Sequence, residues 1–207
     1  MSWHEALKMF VGLVVIIDPL LSLPTFITLT EGMNNRDRST CIRRASLTVG
    51  IVLSVAVLLG QQILDLLAIS MPAFRIAGGL LILMMALSMM HARRSATQAT
   101  EEESSEALDK EDISVVPLGV PLLAGPGAIS TAIIDSHHNL QITAILLFEI
   151  WLVAGLVMLI LQFAQGIRQS LGNTGLNIAT RLMGLMLAAI AIEFMVGGLR
   201  TMLPGLN

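Results

Sequence analysis

Charge is scarce in this 207-residue sequence: only 13% of residues are Asp, Glu, Lys or Arg, where a soluble domain carries about a quarter. So few charges do not cover a soluble globular surface, and so apolar a chain is not disordered. A net charge of -3 also lacks the basic footprint of a nucleic-acid binder. The single cysteine, Cys41, excludes an internal disulfide and reads as a small buried apolar residue. Tyrosine is absent and tryptophan occurs only at Trp3 and Trp151, so aromatic belts are weak and span ends must be set by charges and turns. There is no HExxH, no phosphate loop, no GxSxG and no cysteine pair, which argues against an enzyme. His137-His138 is too little for a metal site, and nothing calls for a cofactor.

What the chain has instead is apolar blocks: 55% of residues are hydrophobic and the mean hydropathy is +0.80. Of the 27 charged residues, six lie in 31–44 and ten in 93–112. Between these two connectors, blocks at 6–29, 46–69, 73–91, 114–134, 140–165 and 179–203 lack period-two alternation. Each is close to the roughly 20 residues that cross a bilayer core, so the expected fold is all-α, a polytopic membrane protein with six transmembrane helices. The stretch SATQATEEESSEALDKED within 92–112 reads as a solvated tether. Residues 1–91 form a first three-helix repeat, 92–112 a polar cytoplasmic linker and 113–207 a second repeat, together one membrane domain.

Lys8 before the run Met9–Ile17 is reminiscent of a signal peptide, but no small-x-small cleavage pattern follows before Asp18-Pro19, so the first span is read as retained. Basic residues set orientation. Arg36, Arg38, Arg43, Arg44, Arg93, Arg94, Lys110, Arg168 and Arg181 fall on one side of a six-span chain, and Lys8, Arg75 and Arg200 on the other. That places both termini outside.

Compared with itself at an offset of 102, the chain aligns PLLSLPTFI (19–27) with PLLAGPGAI (121–129), matching Pro19 with Pro121 and Pro24 with Pro126. A second echo aligns the segment beginning at Arg75 with that beginning at Arg181 and pairs Gly78 with Gly184. Three spans per half force the halves into the membrane in opposite senses, an inverted repeat. Nine apolar residues, Met9–Ile17, span about 13 Å of helix, so the first proline pair falls near mid-depth. Proline removes an N–H and clashes with the preceding turn. The first and fourth helices are therefore expected to be discontinuous, and paired interruptions in inverted halves point to a central substrate site.

Asp18, just before the first break, suits a substrate ammonium, a proton or a cation, and equally suits capping a half-helix that starts at Pro19. Ser22, Thr25, Thr28, Ser130 and Thr131 offer hydroxyls, although such groups often bond their own helix backbone. Gly125-Pro126-Gly127 allows close backbone approach and exposes N–H groups to a carboxylate; its plainer role is close packing. Glu149 and Glu193 lie inside spans and must be neutral or paired. Of the two, Glu193 is the better candidate for proton or ion coupling alongside Asp18. Gly78-Gly79 and Gly197-Gly198 read as close helix crossings.

The segments DPLLSLP (18–24), PLGVPLLAGPG (117–127) and RLMGL (181–185) resemble the MarC-like family of six-span bacterial membrane proteins over nearly the whole chain. That family is named for an early association with multiple antibiotic resistance and is grouped with small neutral amino acid transporters. The resemblance implies an inner-membrane secondary transporter of a small neutral amino acid, with the ammonium near Asp18 and the carboxylate at the 125–127 break. Partners are then the substrate and the bilayer, with a homo-oligomer left open. With no nucleotide-binding element, energy comes from an ion or substrate gradient. The rival readings are export of amphipathic toxic compounds, and a non-transporting scaffold or regulator acting through the 92–112 loop. An intramembrane enzyme is a distant third.

Overall fold

The structure, a computed structural model, describes residues 3–91, 114–136 and 140–203. These residues form helices and their connections, with no strand among them. In chain order they are α1 (Trp3–Ile17), α2 (Ser22–Leu29), α3 (Asn35–Leu66), α4 (Met71–Met90), α5 (Ser114–Leu123), α6 (Pro126–Asp135), α7 (Leu140–Gln162) and α8 (Ala164–Met202). The linker 92–112 and the His137-His138 turn lie outside the described residues.

Four of these elements have the length and composition to cross a bilayer: α3, α4, α7 and the Thr174–Met202 part of α8. The pair α1 and α2, bent by 49°, passes the same test together, as a broken span or a re-entrant loop. α5 and α6, with 10 residues each, are individually too short to cross a core of roughly 30 Å. The chain is thus polytopic, with four to five candidate spans.

Local chemistry explains the ends. α3 starts at Asn34, whose side-chain oxygen accepts from the Asp37 N–H at 2.8 Å while its amide donates to the Asp37 carboxylate at 2.7 Å. That reciprocal cap, with an acid in the first turn, suits a helix N-terminus. Residues 35–44, expected as a connector, are therefore the first turns of α3, whose 32 residues reach about 48 Å, well beyond the apolar core. α3 ends with Ala68 in the left-handed region (φ 55), where the Ile69 N–H bonds the Leu64 carbonyl at 2.9 Å and the Ala68 N–H bonds that of Asp65 at 3.1 Å. This double bond pattern closes helix C-termini. Ser70 then caps α4, accepting from Ala73 at 3.4 Å, with proline in the first turn.

α8 is not one rod. Gly172 (φ 61, ψ -179) interrupts it, so a short polar stretch, 164–171, precedes the spanning part. A left-handed φ at this position favours glycine.

The two broken segments lie at the centre. Leu13, Ile16, Ile17, Asp18, Ser22, Leu23 and Phe26 are buried on one side of it, and Leu123, Ala124, Ala128, Ser130, Thr131 and Ala132 on the other. The long helices wrap them and turn apolar faces outward, among them Ile51, Val55 and Leu59 of α3, Phe148 and Leu159 of α7, and Leu182, Leu185 and Ile192 of α8. Exposed apolar area on every long helix suits contact with lipid.

Small residues set the closest crossings. A Cβ at Gly79 would stand 2.8 Å from the Ala191 carbonyl oxygen of α8, and one at Gly198 2.7 Å from that of Pro72 of α4. A Cβ at Gly184 would stand 3.0 Å from the Ala86 carbonyl. The α4–α8 crossing thus brings backbone against backbone, as small residues permit in membranes. A Cβ at Gly78, by contrast, would meet Ser130 of α6 at 2.9 Å. Gly197 is open, its nearest neighbour the Arg75 guanidinium at 3.8 Å.

Candidate functional site

The first break is built around Asp18. Its N–H still completes the last turn of α1, bonding the Val14 carbonyl at 3.0 Å, but its own backbone sits at φ 39. Aspartate tolerates this left-handed conformation better than most side chains because it bonds locally. One carboxylate oxygen accepts from the Leu21 N–H at 3.3 Å, and the Asp18 carbonyl accepts from the same N–H at 3.2 Å. The half-helix thus starts at Ser22, not at Pro19, with residues 19–21 forming a turn. The other carboxylate oxygen, Oδ2, is buried without a hydrogen-bond partner, and the residue as a whole is 4% exposed.

Ser22 donates to the Pro19 carbonyl at 2.7 Å, and Thr28 donates to that of Pro24 at 3.0 Å. These are the local backbone bonds common for such residues in helices. Thr25 is half-buried, Pro19 is buried and Pro24 is exposed.

The second break is of another kind. α5 is π-helical throughout, and the Ala124 N–H closes it on the Gly119 carbonyl at 2.8 Å, a bond spanning five residues. Its sequence carries Pro117 and Pro121, which have no N–H for a regular ladder. π-Helical turns are rare and concentrate at functional sites. α5 is held to α3 at Gly119, where a Cβ would stand 2.7 Å from the Thr48 methyl. Gly125 is extended (φ -77, ψ 171) and stands at the N-cap of α6, followed by Pro126. Thr131 donates to the Gly127 carbonyl at 2.9 Å, and Ser130 is buried.

Gly127 is packed rather than open. A Cβ there would meet the Met85 sulfur at 3.1 Å, Ile82 at 3.2 Å and Ile16 at 3.6 Å. The plainer role of this glycine, close packing, is the one its surroundings support. Ile16 also makes it the point where the two breaks touch, since it lies two residues before Asp18. The structure therefore brings the two breaks together at Ile16 and Gly127, while Ser130 faces Gly78 of α4; Asp18, Ser22, Gly125 and Thr131 are buried, each at its own break. Glu193 does not join them: it is exposed on α8.

Two further polar groups are buried without a partner. Glu149 of α7 is 5% exposed and its Oε2 has none, and the Nε of Arg75 of α4 is likewise buried and unpartnered. The only signal for Glu149 was an acid within an apolar run, which Glu193 shares. Among the described residues no group of three or more His, Cys, Asp or Glu side chains is placed to hold a metal ion.

A buried polar centre inside helices whose outer faces are apolar defines an integral membrane protein. Its family is settled by comparison: the profile of "MarC family integral membrane protein" matches residues 3–203, and the chain belongs to that family. It is 37% identical to "UPF0056 membrane protein YhcE" of Escherichia coli over 201 residues, 96% of this chain and 94% of that protein. It is 35% identical to "UPF0056 membrane protein YvbG" of Bacillus subtilis over 210 residues, 100% of both chains. An archaeal relative, "UPF0056 membrane protein MJ1677" of Methanocaldococcus jannaschii, is 33% identical over 193 residues, 92% of this chain and 94% of that protein. No solved structure matches.

Proposed function

We propose that this protein is a secondary transporter of a small neutral amino acid, working by alternating access between two inverted three-helix halves. α1–α2 and α5–α6 are each counted as one span of six. The observation that carries the reading is the meeting of two interrupted helices at Ile16 and Gly127, beside a buried carboxylate oxygen with no partner. A membrane-embedded carboxylate is costly unless it has a task, and paired interruptions in inverted halves are where transporters bind substrate.

The pattern of helix contacts supports the repeat. α4 packs on α8, α3 on α7, and α1–α2 on α5–α6, so each span meets its counterpart in the other half. The remaining contacts come in exchanged pairs: α3 with α5–α6 answers α7 with α1, and α4 with α6 answers α8 with α1–α2. A small α7–α8 contact stands outside this scheme.

In this reading the Asp18 Oδ2 receives the substrate ammonium. Ser22 has already given its hydroxyl proton to a backbone carbonyl, so toward a ligand it acts as an acceptor, which suits the same ammonium. Thr25 completes that side. The carboxylate faces the α6 start at Gly125, with Ser130 alongside, while Gly127 and Thr131 shape the wall. The protein lies in the bacterial inner membrane with both termini outside, and an ion or substrate gradient supplies the energy. Uptake of labelled glycine, alanine and serine into proteoliposomes tests this. The expected result is saturable uptake of at least one of them, and none in either direction from folded protein refutes it.

A further inference from the structure

We infer that the cavity between the start of α3 and the 164–171 stretch of α8 is a site for the headgroup of an anionic phospholipid, its phosphate held by Arg38 and Arg168. The inference goes beyond the transport reading and does not rest on it.

The cavity has a volume of about 420 Å³ and is lined, among others, by Thr28 of α2, Glu31 in the loop that follows, Asn35 and Arg38 of α3, and Gln165 and Arg168 of α8. Two guanidiniums and two side-chain amides supply donors against the single carboxylate of Glu31, so the lining is net positive. A phosphate matches the fork of a guanidinium. Thr28 already donates its hydroxyl proton to the Pro24 carbonyl at 3.0 Å, so toward a ligand it accepts, as Glu31 does. A headgroup that carries hydroxyls beside its phosphate, as phosphatidylglycerol does, satisfies both kinds of group. Arg38 is in place before any ligand arrives: it is half-buried, with its guanidinium carbon 5.3 Å from the ring centroid of the buried Phe26, a cation–π contact.

The position is that of a lipid headgroup. Arg38 lies in the polar first turns of α3, ahead of its apolar run, and Arg168 lies between the end of α7 at Gln162 and the break at Gly172 that precedes the spanning part of α8. Both arginines thus stand where helices leave the apolar core. The stretch that carries Arg168 is amphipathic. Phe163, Ile167 and Leu171 recur every fourth residue, with Phe163 and Leu171 exposed, while Gln165, Arg168 and Gln169 turn to the cavity or to the one beside it. A helix of this kind lies in the interface with its apolar stripe at the acyl boundary. The adjoining cavity, about 440 Å³, shares Ile27, Gln165 and Arg168 with the first and reaches Gly172, so room for the glycerol backbone of a lipid continues past the second guanidinium. Basic pockets between spanning helices on the cytoplasmic side take anionic headgroups, and the proposed orientation puts these arginines on that side.

The test is equilibrium binding of labelled phosphatidylglycerol and phosphatidylcholine, with matched acyl chains, to the purified full-length protein in neutral detergent. Wild type is expected to bind phosphatidylglycerol in preference to phosphatidylcholine. Arg168→Gln and Arg38→Gln are each expected to weaken phosphatidylglycerol binding about fivefold, the scale of one basic residue at an anionic surface, and the double variant about 25-fold. Gln165→Glu, at an exposed position, is expected to weaken it too, and reads the same site should loss of the Phe26 contact unfold Arg38→Gln. Arg36→Gln, which removes an exposed charge of α3 outside the cavity lining, is expected to change nothing. Equal binding of the two lipids overturns the proposal. So does binding that is unchanged in Arg168→Gln and Gln165→Glu, or that Arg36→Gln weakens as much as they do, which would mark a diffuse attraction and no site. Loss of the bound lipid on adding inorganic phosphate, but not chloride at the same ionic strength, also overturns it, because the cavity would then serve a soluble anion.

Discussion

The two interruptions occupy matching places in the sequence yet are built from different chemistry. At the first, a side chain makes the break: Asp18 takes a left-handed backbone (φ 39), caps the turn with one oxygen and leaves the other unpartnered. At the second, the backbone makes it: a π-helical run ends on a bond spanning five residues, Gly125 is extended, and no ionisable residue occurs from Ser114 to Ile134. The centre is thus asymmetric, with a carboxyl group on one side and helix-start N–H groups on the other. A zwitterion has the same asymmetry. Two identical half-sites would suit it less well, since one of its charged ends would face the wrong partner.

The largest expected effect removes the charge from the first break while leaving its shape. Asp18→Asn keeps a side chain that tolerates a positive φ, so insertion and thermal stability should hold. Transport should fall at least about 30-fold, because losing one partner of a buried charge pair costs about 2 kcal/mol or more. Uptake assays paired with size-exclusion profiles check this, and equal uptake by both proteins removes Asp18 from the site.

Gly127→Leu attacks the second break through packing. Met85, Ile82 and Ile16 already crowd the position, and overfilling a packed interior costs about 1–3 kcal/mol. The variant should unfold earlier in detergent than wild type and lose transport together with stability. A Gly127→Leu protein of full stability but no transport would instead make this glycine a ligand contact. Gly119→Val should act similarly, by driving α5 away from Thr48, with a loss of about 1–3 kcal/mol in the same unfolding assay.

The smallest effect serves as a reference outside both breaks. Ala68→Gly relieves the left-handed residue that ends α3 (φ 55) and should raise stability by about 1 kcal/mol with transport unchanged. No gain in melting temperature would remove the strain assigned to that turn.

Much of this architecture was legible in the sequence because apolar runs and prolines act locally. The membrane character and the four long apolar helices followed from composition, and two prolines per break removed N–H groups whatever the rest of the chain did. Other features depended on tertiary packing. An outward face of a membrane helix is as apolar as an inward one, so nothing local distinguished Glu193, which is exposed, from Glu149, which is buried. α4 settles on α6 because Gly78 has no side chain, a Cβ there standing 2.9 Å from Ser130. The polar segments misled in a different way. Residues 35–44 read as a connector but are helical because Asn34 and Asp37 cap them, and the short 164–171 stretch before Gly172 has no apolar signature.

The central claim is that the paired breaks bind a small neutral amino acid through the free oxygen of Asp18. Its most direct test is binding of labelled glycine, alanine and serine to purified protein, wild type against Asp18→Asn, both shown to be folded. Saturable binding of at least one amino acid to wild type, lost in Asp18→Asn, is the predicted result. Binding of equal strength to both, or none to either, contradicts it.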